Sequence, residues 1–175
     1  MTKRKSRKAE KTVKEKVLRI RIYTDGACSE NPGPGGWAIV INTENECKQF
    51  SGNELSTTNN RMELFAVIEC LRKIALRGNK EDIHEIYCDS AYVVNSINNG
   101  WLERWKINGW KTKQSENIKN RDLWEQADTY FQQIKANGQI VKFIKVKGHA
   151  GNTFNELVDK LAREESMKAR ALLGK

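Results

Sequence analysis

The sequence predicts an α/β domain with a five-stranded mixed sheet flanked by helices, and three patterns along its 175 residues carry this prediction. Apolar and charged residues first alternate as in a strand, apolar residues then recur at helical spacing, and short apolar segments afterwards alternate with helical ones. We predict the element order βββαβααβα, which is typical of a mixed sheet covered by helices. The length suits one domain with one core.

Three consecutive antiparallel strands are predicted at the start of the domain. Alternation over residues 17–24 predicts a first strand that ends at Asp25. Residues 31–36, Asn-Pro-Gly-Pro-Gly-Gly, predict a turn, because proline lacks an N–H donor and glycine admits positive φ. The second and third strands are then predicted at residues 37–41 and 47–52.

The rest of the chain alternates helices with two more strands. A helix is predicted from Asn60 to the Gly78-Asn79 pair, whose residues tolerate the left-handed conformation of a helix end. Apolar residues predict a short fourth strand that delivers Asp89 at its carboxyl end, with His84 just before the strand. The later predictions are helices near residues 90–97 and 120–135, a strand over 140–146 and a helix over 155–172.

The positive charge of the chain is concentrated in its first residues. Residues 1–21 contain ten Lys or Arg and two Glu, which gives this segment +8 of the formal charge of +9. We therefore divide the chain into a basic tail, residues 1–16, and a folded domain, residues 17–175. The tail suits contact with nucleic acid, and it equally suits a solvated segment that keeps the protein soluble.

Cysteine spacing and hydropathy indicate a cytoplasmic protein. The four cysteines form no Cys-x-x-Cys pair, which favours reduced thiols over a disulfide framework or a zinc site. The sequence has neither an apolar run of about 18 residues nor the apolar stretch of a signal peptide, so we expect no membrane association. A monomer is expected.

Four carboxylates stand in distinctive phrases: Asp25 in residues 23–26, Glu63 in 57–64, Asp89 in 87–90 and Asp159 after the glycine-rich residues 148–151. If the fold brings these acids together, they repel one another unless cations lie between them. Hard oxygen ligands without Cys or His partners favour Mg²⁺ or Mn²⁺ over zinc. The pattern therefore predicts metal-assisted phosphoryl transfer.

These phrases closely resemble the type 1 ribonuclease H family, and the resemblance runs from about Leu18 to Ala171. The phrases over residues 24–36 and 57–64 carry it, together with the ten-residue spacing from His149 to Asp159. The resemblance implies a ribonuclease H-like fold and a sequence-nonspecific endonuclease that cuts the RNA strand of an RNA–DNA hybrid. It also implies two Mg²⁺ ions, with Mn²⁺ as a substitute, and products with 5′-phosphate and 3′-hydroxyl ends.

The resemblance assigns a role to each acid. Asp25 is similar to the ligand that bridges both ions, and Asp89 joins it on the side of the attacking water. Glu63 corresponds to the ligand on the leaving-group side, and Asp159 completes the shell of the first ion. His149 resembles the family's mobile histidine, which assists proton transfer or product release, and an imidazole suits that role near neutral pH.

Substrate contacts follow from the same resemblance. Asn31, Asn59 and Asn60 are expected in the minor groove of the hybrid, where the 2′-hydroxyl distinguishes RNA from DNA. These asparagines equally suit turn and N-cap roles, and Asn60 is a candidate N-cap. The backbone from Gly26 to Cys28 is expected near the RNA sugars.

The DNA strand is expected to meet two further groups of residues. Thr58 and Asn120 resemble a pocket that holds a DNA phosphate, although Ser56 stands where relatives often have an arginine. Tyr92, Trp101 and Trp105 resemble a channel that packs on deoxyriboses, while Trp110 and Trp124 are expected in the core. Tryptophans four residues apart also suit plain helix packing.

Two other functions would also suit this fold. A catalytically silent module that binds hybrids would keep four mutually repelling acids for no gain. An integrase-like strand-transferase would lack the phrase over residues 57–63 and the tryptophan-rich segment. The sequence therefore favours the endonuclease.

Overall fold

The computed structural model describes residues 17–78, 82–148 and 151–174, which form a five-stranded mixed sheet with the strand order β3-β2-β1-β4-β5. β1 pairs antiparallel with β2 and β2 with β3, whereas β4 runs parallel to β1 and β5 parallel to β4. This sheet confirms the predicted fold class. The strands are β1 Arg19–Cys28, β2 Gly33–Asn42, β3 Cys47–Thr57, β4 Ile83–Cys88 and β5 Ile140–Lys145.

Five helices are described, and three of them lie between β4 and β5, where the predicted order had two. The additional helix forms because Gly100 takes a left-handed conformation, with φ of 67°, and ends the preceding helix before Trp101. The helices are α1 Asn59–Leu76, α2 Ala91–Asn98, α3 Trp101–Ile107, α4 Arg121–Ala136 and α5 Thr153–Leu172.

The first two strands are longer than predicted. β1 continues past Asp25 to Cys28, and the chain turns over residues 29–32. The predicted turn over 31–36 is therefore correct for Asn31 and Pro32 and wrong for residues 33–36, because β2 already begins at Gly33. Cys28 pairs with Gly35, so the glycines extend the ladder. Pro34 lies where the register between β2 and β3 shifts, a position that tolerates a missing N–H donor.

The sheet separates two apolar clusters. The larger cluster lies between the sheet and α1, α2 and α4, and it includes Ile22, Leu71 and the fully buried Trp124. The smaller one lies under α5. α5 packs directly on β2, because a Cβ on Gly36 would stand 2.2 Å from the carbonyl oxygen of Ala162. The position of α5 on the sheet is therefore fixed by backbone contact.

All four cysteines are free thiols, as predicted. Within the described residues, no helix combines the length and apolar character needed to cross a bilayer.

His84 lies inside β4, not before it as the sequence analysis expected. Its side chain faces the larger core, is 1% exposed, and neither ring nitrogen has a hydrogen-bond partner among the described residues. Burial lowers the pKa of His84 below its ordinary value, because the protonated ring would lose its water.

The lowered pKa makes the stability of the fold depend on pH. In the unfolded chain His84 binds a proton near pH 6.5, whereas in the folded chain it does so only at lower pH. The free energy of unfolding is therefore highest above about pH 6.5 and falls as the solution is acidified. We expect the free energy of unfolding of His84→Leu to fall less on acidification than that of wild type, by on the order of 1 kcal/mol, a typical effect of one buried group. The free energy of unfolding in urea, measured from pH 5 to pH 8, tests this.

His149→Ala is the matched control, because the chain contains two histidines. Wild type and His84→Leu with the same slope of unfolding free energy against pH would contradict the prediction.

Candidate active site

Four acids from four different elements line one cavity of about 470 Å³. Asp25 lies within β1, Glu63 in the second turn of α1, Asp89 directly after β4 and Asp159 on α5. The parallel register pairs Thr24 with Cys88, so Asp25 and Asp89 occupy adjacent positions at the same end of neighbouring strands. The fold thus brings together the four acids that the sequence analysis selected.

Gly26 allows β1 to approach α1 at this point. A Cβ at Gly26 would stand 2.2 Å from the backbone nitrogen of Glu63, a distance that no side chain can occupy. The missing side chain therefore sets how closely Asp25 and Glu63 approach each other.

Asp25 is a buried acid with a strongly raised pKa. It is 7% exposed, and burial together with the charge of Asp89 raises its pKa to about 8. The backbone N–H of Gly26 donates to its Oδ1 at 2.7 Å and offsets only part of this effect. Without a cation, the carboxyl of Asp25 is therefore mostly protonated at neutral pH.

Glu63 is held by two side-chain donors. The hydroxyl of Ser90 donates to Oε2 in a short contact, and the amide of Asn59 donates to Oε1 at 2.9 Å. Burial raises the pKa of Glu63, while the Ser90 bond acts in the opposite direction. Both carboxylate oxygens thus have fixed orientations.

Asp159 carries an ion pair with Arg163, one turn further along α5, with Nε 2.8 Å from Oδ1. Arg163 lines the cavity and brings a positive charge to it. The sequence analysis missed Arg163 and Ser90, although the four-residue spacing of Asp159 and Arg163 on a predicted helix was a usable signal.

The four acids are the type of ligand that a hard cation prefers, but their side chains are not oriented around a common cation position. Across the described ranges 17–78, 82–148 and 151–174, no three His, Cys, Asp or Glu side chains are arranged to hold a metal ion as they stand. Glu63 and Asp159 instead accept hydrogen bonds from neighbouring side chains. A cation would exchange these partners for itself, and an all-carboxylate set is what Mg²⁺ and Mn²⁺ prefer.

The remaining predicted site residues fall into three cavities. Gly26, Cys28 and Asn59 line the cavity of the four acids. A second cavity of about 420 Å³, here called the side pocket, is lined by Asn31, Thr58, Asn60, Tyr92, Lys119 and Asn120. Trp101 and Trp105 line a third cavity of about 270 Å³ with the basic residues Arg104, Lys111 and Lys113. Lys119 was not selected from the sequence.

A hydrogen-bond network supports the wall of the side pocket. The Tyr92 hydroxyl accepts from Nε1 of Trp124 at 2.9 Å and from Nδ2 of Asn120 at 3.3 Å, and it donates to the carbonyl of Lys119 at 3.3 Å. The N-cap of α1 is Thr58, not Asn60, since the Thr58 hydroxyl accepts from the N–H of Arg61. Thr58 is thus fixed by its capping role.

The tryptophans differ in exposure. Trp101 is 37% exposed, whereas Trp105 is partly buried with its ring centroid 5.5 Å from that of Trp124. Trp110 is partly buried against the core. Trp101 therefore offers the more accessible ring of the third cavity.

Two further sequence predictions concern Cys28 and His149. Burial raises the pKa of the Cys28 thiol, whose sulfur donates to the carbonyl of Glu30, so the thiolate is disfavoured at neutral pH. His149 lies outside the described residues.

Comparison with known proteins identifies the family. The ribonuclease H family model matches residues 18–167. The ribonuclease H of Acetivibrio thermocellus is 46% identical over 153 residues, which cover 87% of this chain and 97% of that protein. The ribonuclease H of Thermoanaerobacter sp. (strain X514) is 49% identical over 146 residues, covering 83% and 88% respectively.

Solved structures agree with this relationship. LC9-RNase H1, a type 1 RNase H with the type 2 active-site motif, is 30% identical with a TM-score of 0.73, and the match covers 88% of this chain and 74% of that one. LC11-RNase H1 in complex with an RNA/DNA hybrid has a TM-score of 0.57 at 23% identity, with coverage of 86% and 98%, and it shares the fold. The extent of the family match and the similarity to these relatives show that the chain belongs to the ribonuclease H family.

Proposed function

We propose that the chain is an endonuclease that hydrolyses the RNA strand of RNA–DNA hybrids without sequence specificity, leaving 5′-phosphate and 3′-hydroxyl ends. The observation that carries this proposal is the cavity in which four acids from four elements converge, in a chain of the ribonuclease H family. In the reaction, a water oxygen bonds to phosphorus, the bond from phosphorus to O3′ breaks, and O3′ leaves with a proton.

The family uses divalent metal ions. In this chain Asp25, Glu63, Asp89 and Asp159 would hold two Mg²⁺ ions, for which Mn²⁺ is the natural substitute. When bound, such ions lower the pKa of the attacking water and stabilise the leaving oxygen.

The protein itself orients the ligands and moves protons. Ser90 and Asn59 fix the carboxylate of Glu63, and burial of Asp25 excludes water that would weaken its electrostatic interactions. We assign proton transfer or product release to His149, since an imidazole gains and loses protons near neutral pH.

The side pocket and the third cavity are proposed to bind the strand that is not cut. Thr58 and Asn120 supply hydrogen-bond donors to a DNA phosphate in the side pocket, and Lys119 supplies a positive charge. Asn31, Asn59 and Asn60 are proposed to contact the minor groove of the hybrid. The rings of Trp101 and Trp105, together with Tyr92 at the side pocket, are proposed to pack on deoxyriboses in a basic setting.

The first test compares cleavage of one RNA strand paired with DNA, paired with RNA and alone, in Mg²⁺ and in EDTA. We expect the RNA to be cleaved only when it is paired with DNA, and only in Mg²⁺. Asp25→Asn should abolish cleavage while hybrid binding persists. Glu46→Gln should keep wild-type rates, because Glu46 is exposed and does not line the cavity of the four acids. Hybrid binding without cleavage by the wild type, in either Mg²⁺ or Mn²⁺, would favour a silent binding module.

The buried charge of Asp25 also predicts an effect on stability. Because the folded protein without metal disfavours ionised Asp25, stability falls as pH rises from about 4 towards 8, and Asp25→Asn avoids this loss. We expect the variant to be more stable than wild type in EDTA at pH 8 by at least about 1 kcal/mol, and the difference to shrink in Mg²⁺. Urea unfolding measures both. A variant less stable than wild type in EDTA would refute the prediction.

We also propose that residues 1–16 form a basic tail that contacts nucleic acid, ahead of the catalytic domain at residues 17–175. Deleting the tail should preserve cleavage at low salt but weaken hybrid binding, with a shallower dependence of log K on log salt. A full-length variant whose tail Lys and Arg are all Gln separates charge from length. If the slope of log K against log salt were unchanged in both variants, the tail would act only as a solubilising segment.

A further inference from the structure

A bidentate ion pair joins the two helices whose first turns border the side pocket. Nη1 and Nη2 of Arg61 donate to Oδ1 and Oδ2 of Asp122 at 3.0 Å and 2.5 Å. Arg61 is the third residue of α1 and Asp122 the second residue of α4, 61 positions later in the sequence. Neither residue lines the catalytic cavity or the side pocket.

Each partner stands next to a residue that forms the pocket. Arg61 follows Asn60 and donates its backbone N–H to the Thr58 hydroxyl, while Asp122 lies two residues after Asn120. α1 and α4 pack against each other, and the ion pair joins their first turns. The contact therefore lies between the two helices that place Thr58 and Asn120 on opposite sides of the side pocket.

The start of α4 has no side-chain cap. Asn120 takes a left-handed conformation with φ of 56°, and its side chain makes no cap bond to the helix. The Asn120 amide bonds to the Tyr92 hydroxyl instead. The Arg61–Asp122 pair therefore adds to the Tyr92 hydrogen bonds a second side-chain contact at the first turn of α4.

The pair also controls charge at the pocket. Asp122 contributes a negative charge at the first turn of α4, whereas α1 has no acid in its first turn. The hydrogen bond from Arg61 lowers the pKa of Asp122 and keeps its carboxylate ionised. The positive charge of Arg61 compensates the negative charge of that carboxylate. Without Arg61, an uncompensated carboxylate would stand two residues from Asn120 and oppose an anion in the pocket.

We propose that Arg61 and Asp122 are positioning residues for the DNA strand: their ion pair fixes the geometry and the charge of the side pocket and thereby sets affinity for the hybrid. The inference rests on the proposed function, because it presumes that the side pocket holds a DNA phosphate. A merely structural role is disfavoured by exposure, since the Asp122 side chain is 56% exposed and exposed ion pairs contribute little to stability.

The test uses Arg61→Gln, Asp122→Asn and the double variant in steady-state cleavage of a hybrid. We expect KM to rise roughly three- to tenfold in Arg61→Gln, the scale of one weakened charge-assisted contact, with kcat unchanged within about twofold. Asp122→Asn should raise KM less, because it leaves no uncompensated carboxylate. In the double variant the rise should be smaller than the product of the single effects, since Gln and Asn can still hydrogen-bond.

Arg72→Gln is the matched control, because Arg72 makes a similar bidentate pair with Glu69 within α1, away from the pocket. It should leave KM unchanged. Tm should fall by no more than about 3 °C in any variant, as expected for exposed pairs.

A second measurement identifies the strand. Single uncharged methylphosphonates are placed in turn along the DNA strand, and the position that raises the wild-type KM most marks the phosphate in the pocket. In Arg61→Gln that position should lose most of its effect, while methylphosphonates elsewhere act as in wild type.

The outcomes separate the two proposals. A wild type that does not cleave hybrids would overturn the proposed function itself. Wild-type cleavage combined with an unchanged KM and an unchanged methylphosphonate profile in Arg61→Gln would overturn the positioning role alone. A loss of kcat that parallels a large fall in Tm would likewise reject it in favour of a structural role.

Discussion

The buried carboxylate of Asp25 is the constraint on which the rest of the site depends. It lies in the central strand beside Asp89, where burial and neighbouring acids raise its pKa to about 8. Ionising such a group is costly without a cation, so the surrounding structure must hold it in place by other means. Backbone contacts do this: β1 pairs on both edges, and Gly26 and Gly36 let α1 and α5 approach the sheet with no intervening side chain.

Much of this arrangement could be predicted from local sequence. Alternation marked β1, helical spacing marked α1 and α5, and the phrases around the acids selected the residues that the fold brings into one cavity. These signals are strong because they depend on few residues close together in the chain. The resemblance to ribonuclease H was specific for the same reason, since its motifs surround each acid.

The missed features depend on distant partners. β1 continues to Cys28 because Gly35 pairs with it, although glycine and proline at 31–36 predicted a turn on local grounds. His84 was placed just before β4, yet it pairs with both β1 and β5 inside the sheet and is buried. Such pairings join residues far apart in sequence, which periodicity does not reveal.

Because the four acids and the side pocket occupy separate cavities, the distance between these cavities affects how a substrate that fills both would be positioned. If the two cavities grip different strands, the spacing between them determines which phosphodiester reaches the acids, and a small shift of either wall changes the bound geometry. Thr58 begins the same helix that carries Glu63, so α1 links the side pocket to the catalytic cavity as one rigid element. The opposite wall starts at Asn120 on α4, which carries none of the four acids. The contact between α1 and α4, where Arg61 meets Asp122, is therefore one link between the two cavities, beside the link through Tyr92 on α2.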